Sequence, residues 1–322
     1  MKREEIIRLF PEQIRKILEQ SDWNPESIQE IRLRAEKPLI LWQDGQEFFV
    51  AQQGFLTKHR QQAYLVSQEE IRKTLEFIGM YSLYAYEEEL KQGFLTIQGG
   101  HRVGVAGKTI MDAHKIKGIH QISCVNIRFA HQITGCADAV MPYVVEEKTI
   151  CHTLIISPPR CGKTTLLRDM VRQISDGWET FPGITVGVVD ERSEIGGNYQ
   201  GVPQNDVGIR TDVLDCCSKS EGMILLLRSM APQVIAVDEI GNYEDIGAIE
   251  MTLNSGCKLL ATVHGSSIEE IQRKPLLERL IKEHVFERYI LLKREAPGQV
   301  GNVQAIYDGR GTCLYQRKQE RC

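Results

Sequence analysis

Apolar side chains in the first part of the chain recur at helical or alternating spacing, whereas further on they come in short unbroken runs that end in polar groups. Residues 4 to 18 place Ile6, Ile7, Phe10, Ile14, Ile17 and Leu18 on one face of a predicted helix. Ile31-Arg32-Leu33-Arg34-Ala35 alternates, and Asp44-Gly45 stands as a hairpin turn between it and Phe48-Phe49-Val50. Ser67-Gln68-Glu69-Glu70 has the form of a capping box and opens a helix carrying Ile71, Leu75 and Ile78. Residues 99–105 and 125–129 read as strands bearing single arginines, Arg102 and Arg128. Solvated strand faces ordinarily carry exposed charge, so these two are surface residues or site residues with equal warrant.

The second part holds four apolar runs. Leu154-Ile155-Ile156 leads into Ser157-Pro158-Pro159-Arg160-Cys161-Gly162-Lys163-Thr164-Thr165, a phosphate-binding loop that opens a helix. Residues 184–189 end in the charged cluster Asp190-Glu191-Arg192-Ser193-Glu194, and Val234-Ile235-Ala236-Val237 ends in Asp238-Glu239. The fourth run, Leu259-Leu260-Ala261-Thr262-Val263-His264-Gly265, ends in Thr262 and His264. Such runs fit strands of a parallel sheet, whose carboxyl ends face the ligand crevice of open α/β folds. The expectation is α/β, a RecA-like P-loop NTPase domain binding ATP and Mg²⁺ and preceded by a smaller α+β domain.

In that arrangement the loop N–H groups wrap the phosphates, Lys163 reaches the β- and γ-phosphates, and the Thr164 hydroxyl with Asp238 serves Mg²⁺. Glu239 would polarise the attacking water. His264 reads either as a structural histidine or as a γ-phosphate sensor. The loop departs from the usual pattern at Ser157, where glycine is customary, and at Arg160-Cys161. Residues 302–315 read as a closing hairpin around Asp308-Gly309, followed by a tail with Arg317, Lys318 and Arg321.

At 322 residues the chain predicts two domains, residues 1–145 and 146–322, joined at Glu146-Glu147-Lys148. Apolar residues at 42% and a net charge of -4 describe a globular protein without the bulk positive charge of a nucleic-acid binder. The first ten residues mix acids with bases and lack the apolar core of a signal peptide. Nine scattered cysteines without a Cys-x-x-Cys pair suggest neither zinc nor a disulfide framework, and a reducing cytosol is the expected home.

The phosphate loop, the acidic box 190–194, residues 227–241 and the Thr262-Val263-His264-Gly265 box, in this order, resemble the type II and type IV secretion ATPases. Residues 203–215 and 228–241 resemble more closely the stage III sporulation AA family, across the whole chain. The resemblance implies a homo-oligomeric, hexameric ring motor that lies in the cytoplasm at the inner face of a membrane on the mother-cell side. It further implies docking on membrane proteins of the sporulation channel, with no nucleic acid as first choice. It places Glu191 with Glu239 and His264 among the catalytic residues, and lets Arg102 and Arg128 reach a nucleotide in the ring. Arg210 is a third candidate arginine. Two rival readings are a RecA-like motor stimulated by nucleic acid and a nucleotide-gated scaffold with little turnover.

Overall fold

A computed structural model describes residues 2–79, 93–112, 115–159, 161–293 and 302–317, so Arg160, Lys318 and Arg321 lie outside the described residues. The chain divides into two units, Met1–His131 and Gln132–Cys322. Residues 132–145, given to the first domain by the sequence reading, pack in the second unit: Ala137, Val140, Met141 and Val144 are fully buried in its core. The polar joint expected at 146–148 lies in a short hairpin that pairs Val145 and Glu146 with Ile150 and Thr149, rather than where the units part.

In the first unit the strands are β1 (Ile28–Arg34), β2 (Lys37–Pro38), β3 (Ile40–Gln43), β4 (Gln46–Val50), β5 (Leu56–Thr57), β6 (Leu65–Val66), β7 (Phe94–Ile97), β8 (His101–Asp112) and β9 (Lys115–Arg128). An antiparallel sheet runs β5-β4-β3-β1-β9-β8-β7, and β2 pairs separately with β6. Inward residues of these strands, among them Ile31, Leu33, Val103, Val125 and Ile127, join Ile14, Ile17, Ile71 and Leu75 of the helices in one core. The Asp44-Gly45 turn forms as predicted, with φ of 53° and 73°, the mirror-image turn that suits strand twist. It connects β3 to β4, and β1 pairs with β3 on the other side. The predicted capping box is present, since Ser67 accepts from the Glu70 N–H.

The single helix expected over residues 4–18 is two, Arg3–Ile7 and Glu12–Gln20. Pro11 is the reason. Its ring disfavours helical geometry at Phe10 and supplies no N–H, so it begins the second helix instead of continuing the first. Phe10 is fully buried at the corner.

The second unit adds β10 (Val145–Glu146), β11 (Thr149–Ile150), β12 (Thr153–Ser157), β13 (Val186–Asp190), β14 (Thr211–Asp215), β15 (Val234–Val237), β16 (Lys258–His264), β17 (Arg288–Leu292), β18 (Val303–Asp308) and β19 (Cys313–Gln316). The main sheet runs β14-β13-β15-β16-β12-β17-β18-β19, parallel as far as β17 and antiparallel beyond. Both faces are covered, which explains why these strands do not alternate in sequence. On β12, Ile155 faces the core with helix Lys163–Asp176, while Leu154 and Ile156 face the core with helices Lys219–Ser229 and Tyr243–Asn254. The closing hairpin β18–β19 has a four-residue turn in which Asp308 Oδ1 accepts from the N–H groups of Arg310 and Thr312, at 2.9 and 2.7 Å.

Candidate functional site

Strand order assembles the site. Among the described strands, β13, β15, β16 and β12 are consecutive neighbours, so their carboxyl ends, with the polar residues that follow them, line up along one edge of the sheet. At the end of β12, Ser157 is fully buried and lies opposite His264 in the β12–β16 register. Its carbonyl accepts from the Gly265 N–H at 3.2 Å, which fixes the start of the loop to the end of β16. Pro158 is half-buried, Pro159 exposed and Cys161 buried. Gly162, with φ of 84°, turns the chain into the helix that Lys163 begins. That left-handed backbone suits glycine.

Lys163 Nζ stands 3.2 Å from Glu239 Oε2, 3.4 Å from His264 Nε2 and 3.8 Å from Asp238 Oδ1. His264 Nε2 is in turn 3.2 Å from Glu239 Oε1, and its Nδ1 is buried without a partner among the described residues. The Thr164 hydroxyl donates to Asp238 Oδ2 at 2.5 Å. Thr165 is half-buried one residue further along the helix. Burial pushes the Glu239 carboxyl up, but Lys163, with His264 and Arg192 behind it, holds the group below its ordinary value.

Thr262 fastens the two acids together. Its hydroxyl donates to Asp238 Oδ1 and accepts from the Glu239 N–H, the latter at 2.8 Å. The Ile240 N–H bonds the Thr262 carbonyl at 2.9 Å. These bonds hold Glu239 at a φ of 59°, a left-handed conformation that costs a residue with a Cβ about 1–3 kcal/mol. The arrangement is a carboxylate beside a hydroxyl, able to take a hydrated cation, next to a second carboxylate held by an ammonium and an imidazole.

A family model described as "Sporulation stage III, protein AA" matches residues 1–314. The chain belongs to the stage III sporulation protein AA family. Stage III sporulation protein AA of Bacillus subtilis (strain 168) is 40% identical over 314 residues, 96% of each chain. Among solved structures, the Legionella pneumophila ATPase DotB superposes with a TM-score of 0.55 at 14% identity, over 88% of this chain and 77% of that one. The pilus retraction motor PilT, solved with bound ADP, gives 0.54 at 15% identity, over 91% and 81%. Both likenesses establish the fold that the sequence predicted.

The remaining candidates of this stage III sporulation AA family chain scatter. Glu191 is paired with Lys219, a residue only 5% exposed at the start of helix Lys219–Ser229, whose ammonium lies 3.9 Å from Asp245. Glu191 is thus held by a lysine of that helix and not by the Lys163 cluster. Arg102 and Arg128 face each other across β8 and β9 in the first unit, with the Arg102 guanidinium 3.6 Å from the centre of the Phe94 ring. Arg210 donates to the carbonyls of Ser175 and Asp176 at 2.7 and 3.3 Å, at the end of the 14-residue helix opposite Lys163. That is about 20 Å from the loop within one chain.

Three residues of the site neighbourhood had no individual role assigned from sequence, although Arg192 and Thr262 stand within the motifs named there. Arg192 Nη1 lies 3.5 Å from Glu239 Oε2. Thr262 makes the two hydrogen bonds described above, donating to Asp238 and accepting from the Glu239 N–H. Arg168, on the helix of Lys163, donates to the Ile195 carbonyl at 2.6 Å and also to that of Glu194. It thereby ties this helix to the loop whose N–H groups at 194, 195 and 196 converge on buried Asp190, at 2.8, 2.9 and 2.8 Å. The available signal was positional: Arg192 belongs to the acidic box, and Thr262 is two residues from His264, on the same side of a strand.

Proposed function

We propose that the chain is an Mg²⁺-dependent ATPase acting as one subunit of a homo-oligomeric, hexameric ring motor. In this reading it works in the cytoplasm at the mother-cell side of a membrane, docked on membrane proteins of a sporulation-associated, secretion-like channel. The observation that carries the enzymatic part is the convergence of Lys163, Thr164, Asp238, Glu239 and His264 at the mouth of the phosphate loop.

The residues suit the ligands. Among the described residues no group of three or more His, Cys, Asp or Glu is placed to hold a metal ion. Mg²⁺ needs none, since it keeps several waters and is held by one or two protein oxygens plus substrate phosphates. The Thr164 hydroxyl and Asp238 carboxylate are those oxygens. Bound Mg²⁺ would neutralise charge on the phosphate oxygens. Lys163 turns from Glu239 to the β- and γ-phosphates, and this frees the Glu239 carboxylate to orient water. His264, held between Glu239 and Lys163, senses the γ-phosphate.

Charge developing on the γ-phosphate calls for an arginine, worth roughly 10³ or more in rate in related NTPases. Arg102 and Arg128, delivered by a neighbouring subunit, are the proposed source. The test is ATPase activity against protein concentration, together with subunit mixing. Lys163→Ala is expected to abolish ATP binding. Mixed with an Arg102→Ala, Arg128→Ala chain, it should restore activity, because one chain supplies the loop and the other the arginines. No recovery at any ratio, with concentration-independent activity of the parent, would overturn the shared site. Stimulation by DNA would favour a nucleic-acid motor, and ATP binding without turnover a gated scaffold.

A further inference from the structure

The strand pair β8–β9 outruns its sheet. Residues of β8 alternate between buried and half-buried up to Val105, and every residue from Ala106 to Asp112 is exposed. A bulge marks the departure. Between the pairs Ala106↔Cys124 and Lys108↔His120, Gly107 alone faces residues 121–123 of β9, and Gln121 adopts a φ of 45°. A Cβ on Gly107 would lie 2.7 Å from the Gln121 carbonyl oxygen, so only glycine fits. Bulges bend and twist a strand pair, and this one begins a two-stranded ribbon that, among the described residues, has no third strand beside it.

The ribbon carries apolar groups where water would be expected to select polar ones. Ile110, Met111 and Ile116 are 41%, 56% and 45% exposed. Met111 pairs with Ile116 and shares its face, whereas Ile110, which pairs with Gly118, alternates to the opposite face of β8, with Lys117 the extra residue of β9 between the two pairs. A protein groove covering one face would leave the other wet; a lipid interface surrounds both. Charge points the same way. Residues 108–120 contain Lys108, Lys115 and Lys117 against one acid, Asp112, in a chain whose net charge is -4.

We infer that the β8–β9 ribbon is a membrane-docking element, whose tip seats Ile110, Met111 and Ile116 among the headgroups of an anionic lipid surface while Lys108 and Lys117 face the lipid phosphates. Apolar insertion and basic attraction are each weak alone and together suffice for reversible binding. The contact does not depend on nucleotide turnover.

Flotation of the full chain with vesicles tests it, using phosphatidylcholine alone or with about one-third phosphatidylglycerol. The chain should float with the anionic vesicles, less at high salt, and poorly with the neutral ones. Met111→Glu with Ile116→Glu, Ile110→Glu, and Lys108→Glu with Lys117→Glu should each weaken binding by about tenfold or more, and Met111→Leu should keep it. These side chains are exposed, so unchanged melting temperatures verify the fold. Lys163→Ala should float like the parent, which separates this inference from the ATPase reading. Failure of the parent chain to float with anionic vesicles would overturn it. So would equal flotation with neutral vesicles, or binding lost on removing residues 317–322 yet kept in the ribbon variants.

Discussion

Thr262→Val is the sharpest test of how the acid pair is held. Valine matches threonine in shape, and Thr262 is fully buried in β16, so the change removes a hydroxyl and little else. Two bonds disappear, the donation to Asp238 Oδ1 and the acceptance from the Glu239 N–H. Asp238 retains Thr164 as a donor, while the Glu239 N–H loses its side-chain acceptor. Leaving a largely buried polar group unsatisfied costs about 1–3 kcal/mol. In a unit of this size each kcal/mol lowers the melting temperature by about 2–4 °C, so a fall of about 2–12 °C is expected by calorimetry. Turnover should fall further than stability suggests. Without Thr262 the strained backbone of Glu239 relaxes, and a shift of about 1 Å in a positioned group costs on the order of 10²-fold. Thr262→Ser keeps the hydroxyl and should recover most of both losses. A Thr262→Val chain with parental melting temperature and parental ATPase rate would refute the reasoning.

Glu239→Gln should retain ATP binding while steady-state hydrolysis drops by roughly 10² or more, the scale of a lost general base; parental turnover would remove Glu239 from that role. His264→Ala should bind ATP and hydrolyse it slowly, whereas a large fall in melting temperature as its main effect would make the histidine structural. Asp215 supplies a pH signature. Burial, and then neighbouring Asp190, raises its carboxyl from an ordinary 3.8 to about 6. A folded-state value above the unfolded one means stability present at low pH and lost as pH rises from about 4 through about 6. Asp215→Asn should therefore raise the melting temperature at pH 7 relative to the parent, with the gain vanishing near pH 4, as followed by thermal scans across pH.

Local chemistry determined a good part of this protein. Gly162-Lys163-Thr164 after an apolar run, the β-branched run before Asp238-Glu239, the Asp44-Gly45 turn and the Ser67–Glu70 cap were legible because each is set by backbone preferences within a few residues. The fold class followed, since unbroken apolar strands need cover on both faces. Tertiary structure decided which polar ends meet. Only the order β13-β15-β16-β12 brings Glu239 between Lys163 and His264 and sets Thr262 under both acids. It gives Glu191 to Lys219 and Arg192 to Glu239, two neighbours in sequence that part because the chain turns after Asp190. It also moves residues 132–145 into the second unit, as burial of Val140, Met141 and Val144 depends on the core they meet and not on their spacing. Side chains far apart in sequence share a hydrogen bond only through the sheet that aligns them, and no local propensity encodes that alignment.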